Sequence, residues 1–271
     1  MFFKYFRYLN IIPRVINNES WIKKYSKDPS KYDLHLRYSK VHKFIFNCCK
    51  TLKCEFIVEG LEKFPTDTNV LITPNHQSFI DPLTLLANVS SPITFVAKKE
   101  TEQFPVVGDV IKAIEGRFMD RSSLKNEVRI MMAISKDLEE KPDQSIIIFP
   151  EGTRSKDTEN RGLSEFKPGA LKPAYNACKP IVPVAMYGSF RVLSTDQPSL
   201  KKYPIQLKIL DPIPYEEFSK YSTVDFAKIL HDKIEKEVDI LREKDKRLVF
   251  KCSSRRQRKK IIREQKAKMK K

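Results

Sequence analysis

Short apolar runs recur along the chain from residue 54 onward, each bounded by polar or turn-forming residues: CEFIV (54–58), VLIT (70–73), ITFVA (93–97), SIIIF (145–149), IVPVAMY (181–187) and PIQLKIL (204–210). Their length and β-branched content predict buried strands. Between them lie segments of helical period. In Leu124 to Glu140, Val128, Met131, Met132, Ser135 and Leu138 recur at three- and four-residue steps behind a candidate Ser123 N-cap. After Ser222 a second stripe runs through Phe226, Leu230, Ile234, Val238 and Leu241. His231 lies one position off that stripe without an obvious partner and reads as structural. Residues 38–50 set Val41, Phe44, Ile45 and Cys48 near one face, with His35 and His42 reading as surface residues. The alternation predicts an α/β fold with a mixed, largely parallel central sheet flanked by helices.

Two polar turns interrupt this pattern at places where such sheets bind ligands, beyond the carboxyl ends of strands. The first, Pro74 to Pro82, separates a strand at Val70 to Thr73 from a helix at Pro82 to Val89, with Asp81 placed to cap that helix. It holds His76 and Asp81 five residues apart. An ideal helix would point them about 140° apart, whereas a turn can bring them together. A histidine beside a carboxylate is a general base near neutral pH, the carboxylate fixing the tautomer and stabilising the imidazolium. The plainer alternative is that Asp81 only caps and His76 only closes the turn. The second turn, Pro150 to Ser155, supplies an acid, an arginine, two hydroxyls and a glycine within six residues. That composition suits the grip of an anion, or an ordinary solvated loop.

Charge and composition narrow the classes. Of the net +17, residues 242–271 carry +12, from 15 basic and 3 acidic side chains, so the remainder is only mildly basic. The tail reads as a frayed helix or disordered arm seeking anionic surfaces. Five cysteines without a C-x-x-C pair imply neither a disulfide framework nor a zinc site, and no metal is predicted. With seven glycines there is no G-x-G-x-x-G and no P-loop. No uncharged apolar run reaches the 18 or so residues of a spanning helix. Residues 1–16, rich in Phe, Tyr and Ile but broken by Lys4, Arg7, Pro13 and Arg14, suit a bilayer interface, or else pack on the core. The predicted organisation is 1–53, amphipathic membrane-associating helices; 54–249, the catalytic domain; and 250–271, the basic tail.

These residues together resemble the glycerolipid acyltransferases, specifically the bacterial-type 1-acyl-glycerol-3-phosphate (lysophosphatidic acid) acyltransferases. NHQSFID matches the family's first block with Asn75, His76, Ser78 and Asp81 in place, and FPEGTRS (149–155) matches its third without a gap. FVAKKE (95–100) and FPVVG (104–108) resemble its linking segments, and FMDR (118–121) its second block. Here Glu115 stands where a glycine is usual, and Gly116 follows it. Phe166 to Ala170 and Ile181 to Val184 resemble later blocks, so the likeness covers roughly residues 55 to 245.

The resemblance implies an N-terminal helical pair docked on the membrane, and transfer of an acyl chain from acyl-CoA or acyl carrier protein to a phosphate-bearing glycerolipid, with no further cofactor. It assigns catalysis to His76, Asp81 and Glu151, the last orienting the arginines, the hydroxyl or the turn. Acceptor binding falls to Asn75, Ser78, Lys98, Arg121, Gly152, Thr153 and Arg154. The implied partners are lysophosphatidic acid, the donor thioester and a membrane phospholipid surface on the cytoplasmic face, and no nucleic acid. A hydrolase built on Ser78, His76 and Asp81 is disfavoured by the absence of a G-x-S-x-G elbow. A nucleic-acid binder built on the tail is disfavoured by its lack of interleaved aromatics.

Overall fold

The computed structural model describes residues 9–155, 162–194 and 200–268. Among these, seven strands form one sheet: β1 (Cys54–Glu59), β2 (Leu71–Pro74), β3 (Ile93–Lys98), β4 (Arg117–Met119), β5 (Ser145–Ile147), β6 (Ile181–Tyr187) and β7 (Tyr203–Ile209). Their spatial order is β1-β7-β6-β2-β5-β3-β4, and every neighbouring pair is parallel except β6 with β7. The mixed, largely parallel sheet expected from the alternation is the one observed. Its central strands read as continuous apolar runs because both faces are covered. In β6, Val182, Val184 and Met186 enter one core while Ile181, Ala185 and Tyr187 enter the other.

Helices α1 (Ile12–Lys27) and α2 (Leu34–Thr51) cover the first face together with α3 (Ile80–Asn88) and α4 (Val107–Ala113). Ile22, Tyr25, Tyr38, Val41, Phe44 and Ile45 are buried in that core, so much of the amphipathic face read from residues 38–50 is spent on the protein itself. Residues 1–8 of the predicted interfacial segment lie outside the described residues. His42 is half-buried with Nδ1 2.8 Å from the Leu86 carbonyl, which corrects its reading as a surface residue.

The second face is covered by α5 (Leu124–Glu140), α6 (Lys172–Ala177) and α7 (Thr223–Cys252). Ser123 caps α5 as expected and Ser222 caps α7, accepting from the N–H groups of Asn126 and Asp225. The stripe read along α5 is corrected. Ile130, Ile134, Ser135 and Leu138 are buried, whereas Val128 (51%) and Met132 (65%) are exposed. The basic tail, read as a frayed helix or disordered arm, is helical over most of its described residues. Helix α7 continues to Cys252, with Asp245, one turn beyond Leu241 of the core stripe, buried against Arg191, and α8 (Arg255–Lys268) follows. Among the described residues no helix is long and apolar enough to cross a membrane.

Candidate active site

Strands β2 and β5 lie side by side, so the polar turns that leave their carboxyl ends meet. In the first turn Asp81 has no exposed surface. Its Oδ2 accepts three hydrogen bonds: from His76 Nδ1 at 2.9 Å, from Gln77 N–H at 2.5 Å and from Ser78 N–H at 2.7 Å. One carboxylate oxygen thus orients the imidazole and closes the turn. The capping role expected for Asp81 is corrected, since α3 begins at Ile80 and its carboxylate reaches back into the turn instead. The carboxylate assigns the ring proton to Nδ1 and leaves the lone pair on Nε2, which no group bonds among the described residues. The imidazole side chain is 14% exposed, enough to meet a substrate.

The second turn holds His76 by its backbone. Glu151 Oε1 accepts from His76 N–H at 2.6 Å, and Ser155 N–H donates to the His76 carbonyl at 2.8 Å. The Phe149 ring stacks on the imidazole, centroids 4.1 Å apart. Glu151 Oε2 accepts from Ser164 N–H at 3.0 Å. Burial pushes the Glu151 carboxyl up, against the opposing pull of these two N–H donors. Of the three roles left open by the sequence, this geometry is the bracing of the turn.

Asn75 and Gln77 pin the first turn to the end of β6. The Asn75 side chain accepts from Met186 N–H at 2.7 Å and donates to its carbonyl at 3.0 Å, while Gln77 Oε1 accepts from Gly188 N–H at 3.0 Å. Ser78 is buried, its Oγ accepting from Ile80 N–H at 3.3 Å. Asn75 and Ser78, which the resemblance assigns to acceptor binding, also build the turn, and the Ser78 hydroxyl is buried in it. Gln77 was not singled out by sequence, although it lies within the motif; the signal is its place beside a histidine whose turn needs a tie to the next strand.

Arg121 follows β4 and Arg154 lies in the second turn, both exposed at the same edge of the sheet. The Arg154 guanidinium lies 4.1 Å above the Phe79 ring. Partial desolvation holds the Arg121 guanidinium below its ordinary value, against the opposing pull of Glu127 and Glu100, with a smaller contribution in the same direction from the like charge of Arg154. Neither has a hydrogen bond or ion pair among the described residues. Gly152, at φ +69°, occupies the left-handed region that the turn requires, with exposed Thr153 beside it. Lys98, at the end of β3, is paired with Glu100 at 2.7 Å on the surface. Exposed Phe79, Phe104, Val107 and Leu124 stand on the segments that leave β2, β3 and β4 at this edge.

Four further positions went unread or misread. Val238 and Arg242 of α7 line a small cleft with His76, Gln77 and Glu151. His231 has neighbours after all, with Nδ1 3.1 Å from Asp232 and its ring edge-on to Phe166. Glu115 stands where the family resemblance leads one to expect glycine and adopts φ +57° itself. Its carboxylate is held by Arg37, at 2.6 Å, and by Lys141, which offsets the strain of that backbone.

Comparison with known proteins places this geometry in context. The acyltransferase family model matches residues 55–187, which include both turns and the strands that carry them. A probable 1-acyl-sn-glycerol-3-phosphate acyltransferase of Mycoplasma pneumoniae is 33% identical over 175 residues, spanning 62% of this chain and 62% of that protein. Its counterpart in Mycoplasma genitalium is 30% identical over 210 residues, 72% of this chain and 76% of that one. The crystal structure of the 1-acyl-sn-glycerophosphate acyltransferase PlsC from Thermotoga maritima shares the fold, with a TM-score of 0.70 at 23% identity over 89% of this chain and 95% of that one. On the strength of the aligned relatives and of two paired turns inside the matched region, this chain belongs to the acyltransferase family.

Proposed function

We propose that the protein transfers a fatty acyl group from an acyl thioester, acyl-CoA or acyl carrier protein, to the free hydroxyl of 1-acyl-sn-glycerol 3-phosphate, giving phosphatidic acid for phospholipid biosynthesis. The observation that carries this reading is the His76–Asp81 couple, held at 2.9 Å in a turn braced from both sides. The relatives' names support the choice of acceptor.

His76 Nε2 takes the proton of the acceptor hydroxyl as its oxygen attacks the thioester carbonyl carbon. The carbon–sulfur bond breaks and the proton passes from His76 to the departing sulfur. Asp81 stabilises the imidazolium formed between these transfers, and base assistance of this kind contributes about 10² to 10⁴ in rate. Arg121 and Arg154 hold the acceptor phosphate, for which the planar guanidinium is suited. The apolar side chains at the same edge favour substrates that carry acyl chains, and the basic chain favours a peripheral or monotopic place on the cytoplasmic face of a membrane.

The test is acyl transfer from a labelled thioester in detergent, with 1-acyl-glycerol-3-phosphate and glycerol 3-phosphate as rival acceptors. Phosphatidic acid is expected only from the lyso-lipid and only with His76 intact. Turnover retained in His76→Ala would refute the general base, and preference for glycerol 3-phosphate would reassign the acceptor.

A further inference from the structure

Helix α5 keeps an apolar ridge in solvent. Leu124, Val128 and Met132 are exposed and follow one another at four-residue steps, while Ile130, Ile134 and Leu138 turn inward to the core. That spacing sets the three side chains in one file on the helix surface, about 12 Å from first to last. Among the described residues neither Val128 nor Met132 joins a hydrophobic core. Three large apolar side chains in file are more than a face that meets only water requires.

The flanks of the ridge are basic. Lys125, Arg129 and Lys136 are exposed beside it, and the one acid between Leu124 and Lys136, Glu127, is half-buried. Lys136 pairs with Glu140 one turn beyond, at 3.5 Å, whereas Lys125 and Arg129 form no ion pair among the described residues. A ridge at four-residue steps is the feature that interdigitates with the groove of a second helix, and the charges beside it select the sign of that helix. The surface therefore fits an acidic helix. It also leads to the chemistry, since α5 begins three residues after Arg121 and Leu124 already stands at the catalytic edge. The pair expected on the membrane, α1 and α2, covers the other face of the sheet, so a bilayer beneath those helices lies across the sheet from α5.

We propose that this face of α5 docks the acidic helix of an acyl carrier protein, which delivers its thioester to His76 on the flexible arm that such carriers bear. Naming the partner as the acyl donor rests on the transfer reaction proposed above; the fit of α5 to an acidic helix does not. Use of the carrier then depends on Lys125, Val128, Arg129 and Met132, and use of acyl-CoA does not. None of these four belongs to the catalytic turns. The test compares palmitoyl-carrier protein with palmitoyl-CoA as donors to 1-acyl-glycerol-3-phosphate in detergent. Binding of a fluorescently labelled bacterial acyl carrier protein is followed by anisotropy, and binding to phosphatidylglycerol vesicles by sedimentation. Lys125→Glu/Arg129→Glu reverses the flanking charge, Val128→Ser/Met132→Ser removes the ridge, and Lys220→Glu/Lys228→Glu reverses equal charge at exposed positions elsewhere.

The first two variants should weaken carrier binding and raise KM for the carrier donor about thirtyfold, with kinetics on palmitoyl-CoA unchanged. The control should lose far less. Equal losses with both donors, an equal loss in the control, or carrier binding untouched by both variants would overturn the docking face. Transfer from palmitoyl-CoA without any carrier binding would overturn it too, and would leave the proposed activity standing. Vesicle binding lost in the variants while their carrier kinetics hold would assign the face to lipid instead. Carrier binding that depends on α5, with no transfer from either donor, would refute the activity and keep the face.

Discussion

Replacing Asp81 by Asn changes one atom of the proposed catalytic couple and isolates its charge. The amide oxygen can occupy the position of Oδ2 and keep the bonds from His76 Nδ1, Gln77 N–H and Ser78 N–H, so the turn and the tautomer survive. What disappears is the negative charge facing the imidazolium. Asp81 is fully buried and the His76 side chain is mostly covered, with its 14% of exposed surface left for the substrate. At an effective dielectric of about 20 and a charge separation of about 4 Å, that interaction is worth about 4 kcal/mol. Lost from the transition state alone, it corresponds to a fall in kcat of about 10³. The new amide N–H₂ takes the place of Oδ1, a buried atom with no hydrogen-bond partner, which adds about 1–3 kcal/mol of destabilisation. The assay is steady-state acyl transfer at 25 °C with thermal melting in parallel, and the expected result is a kcat collapse with little change in acceptor KM. A folded variant within about tenfold of the parent kcat would refute charge stabilisation by Asp81. It would leave that residue as a clasp for the turn.

Asn75→Ala leaves both backbone groups of Met186 unpaired in the interior and should cost about 2–4 kcal/mol, read by denaturant unfolding, with activity falling alongside. Arg154→Lys keeps the charge but loses the fork and its stacking on Phe79, so acceptor KM should rise about tenfold or more while kcat changes less. An unchanged KM in this variant and in Arg121→Ala would remove the phosphate clamp. Burial acts to raise the Glu115 carboxyl, but Lys141 and Arg37 outweigh it and hold it below the ordinary value of 4.5. Its contribution to stability is therefore present above that value and is lost as pH falls through it toward the lower folded value. Glu115→Gln should flatten this acid limb in a series of melting curves, and a limb of unchanged depth would place the sensitivity elsewhere.

The strands were legible because β2, β3, β5 and β6 are buried on both faces and leave unbroken apolar runs in the sequence. Strand β4, three residues at the sheet edge with only Met119 buried, leaves no such run. The orientation of α5 was misread because Val128 and Met132 are apolar yet exposed, so periodicity alone chose the wrong face. At the candidate site, the pairing of His76 with Asp81 followed from residue type and turn composition. The work of Asn75, Gln77, Ser78 and Glu151 did not, because it consists of bonds to backbone groups that adjoin them only once the sheet is assembled. The full length of α7 escaped notice for a similar reason, since the buried Arg191–Asp245 pair joins residues far apart in the chain.

The bracing of His76 by Glu151 and Ser155 ties the appearance of activity to the order of chain assembly. Both contacts span more than seventy residues, and the ties from Asn75 and Gln77 to β6 span 111. Closing loops of that length comes late in folding, after local helices have formed. A nascent or partly unfolded chain therefore carries the histidine and the aspartate without the base they make together. Transfer activity should return on refolding only with the slowest structural phase, and a single nick between the two turns should extinguish it whenever the fragments part.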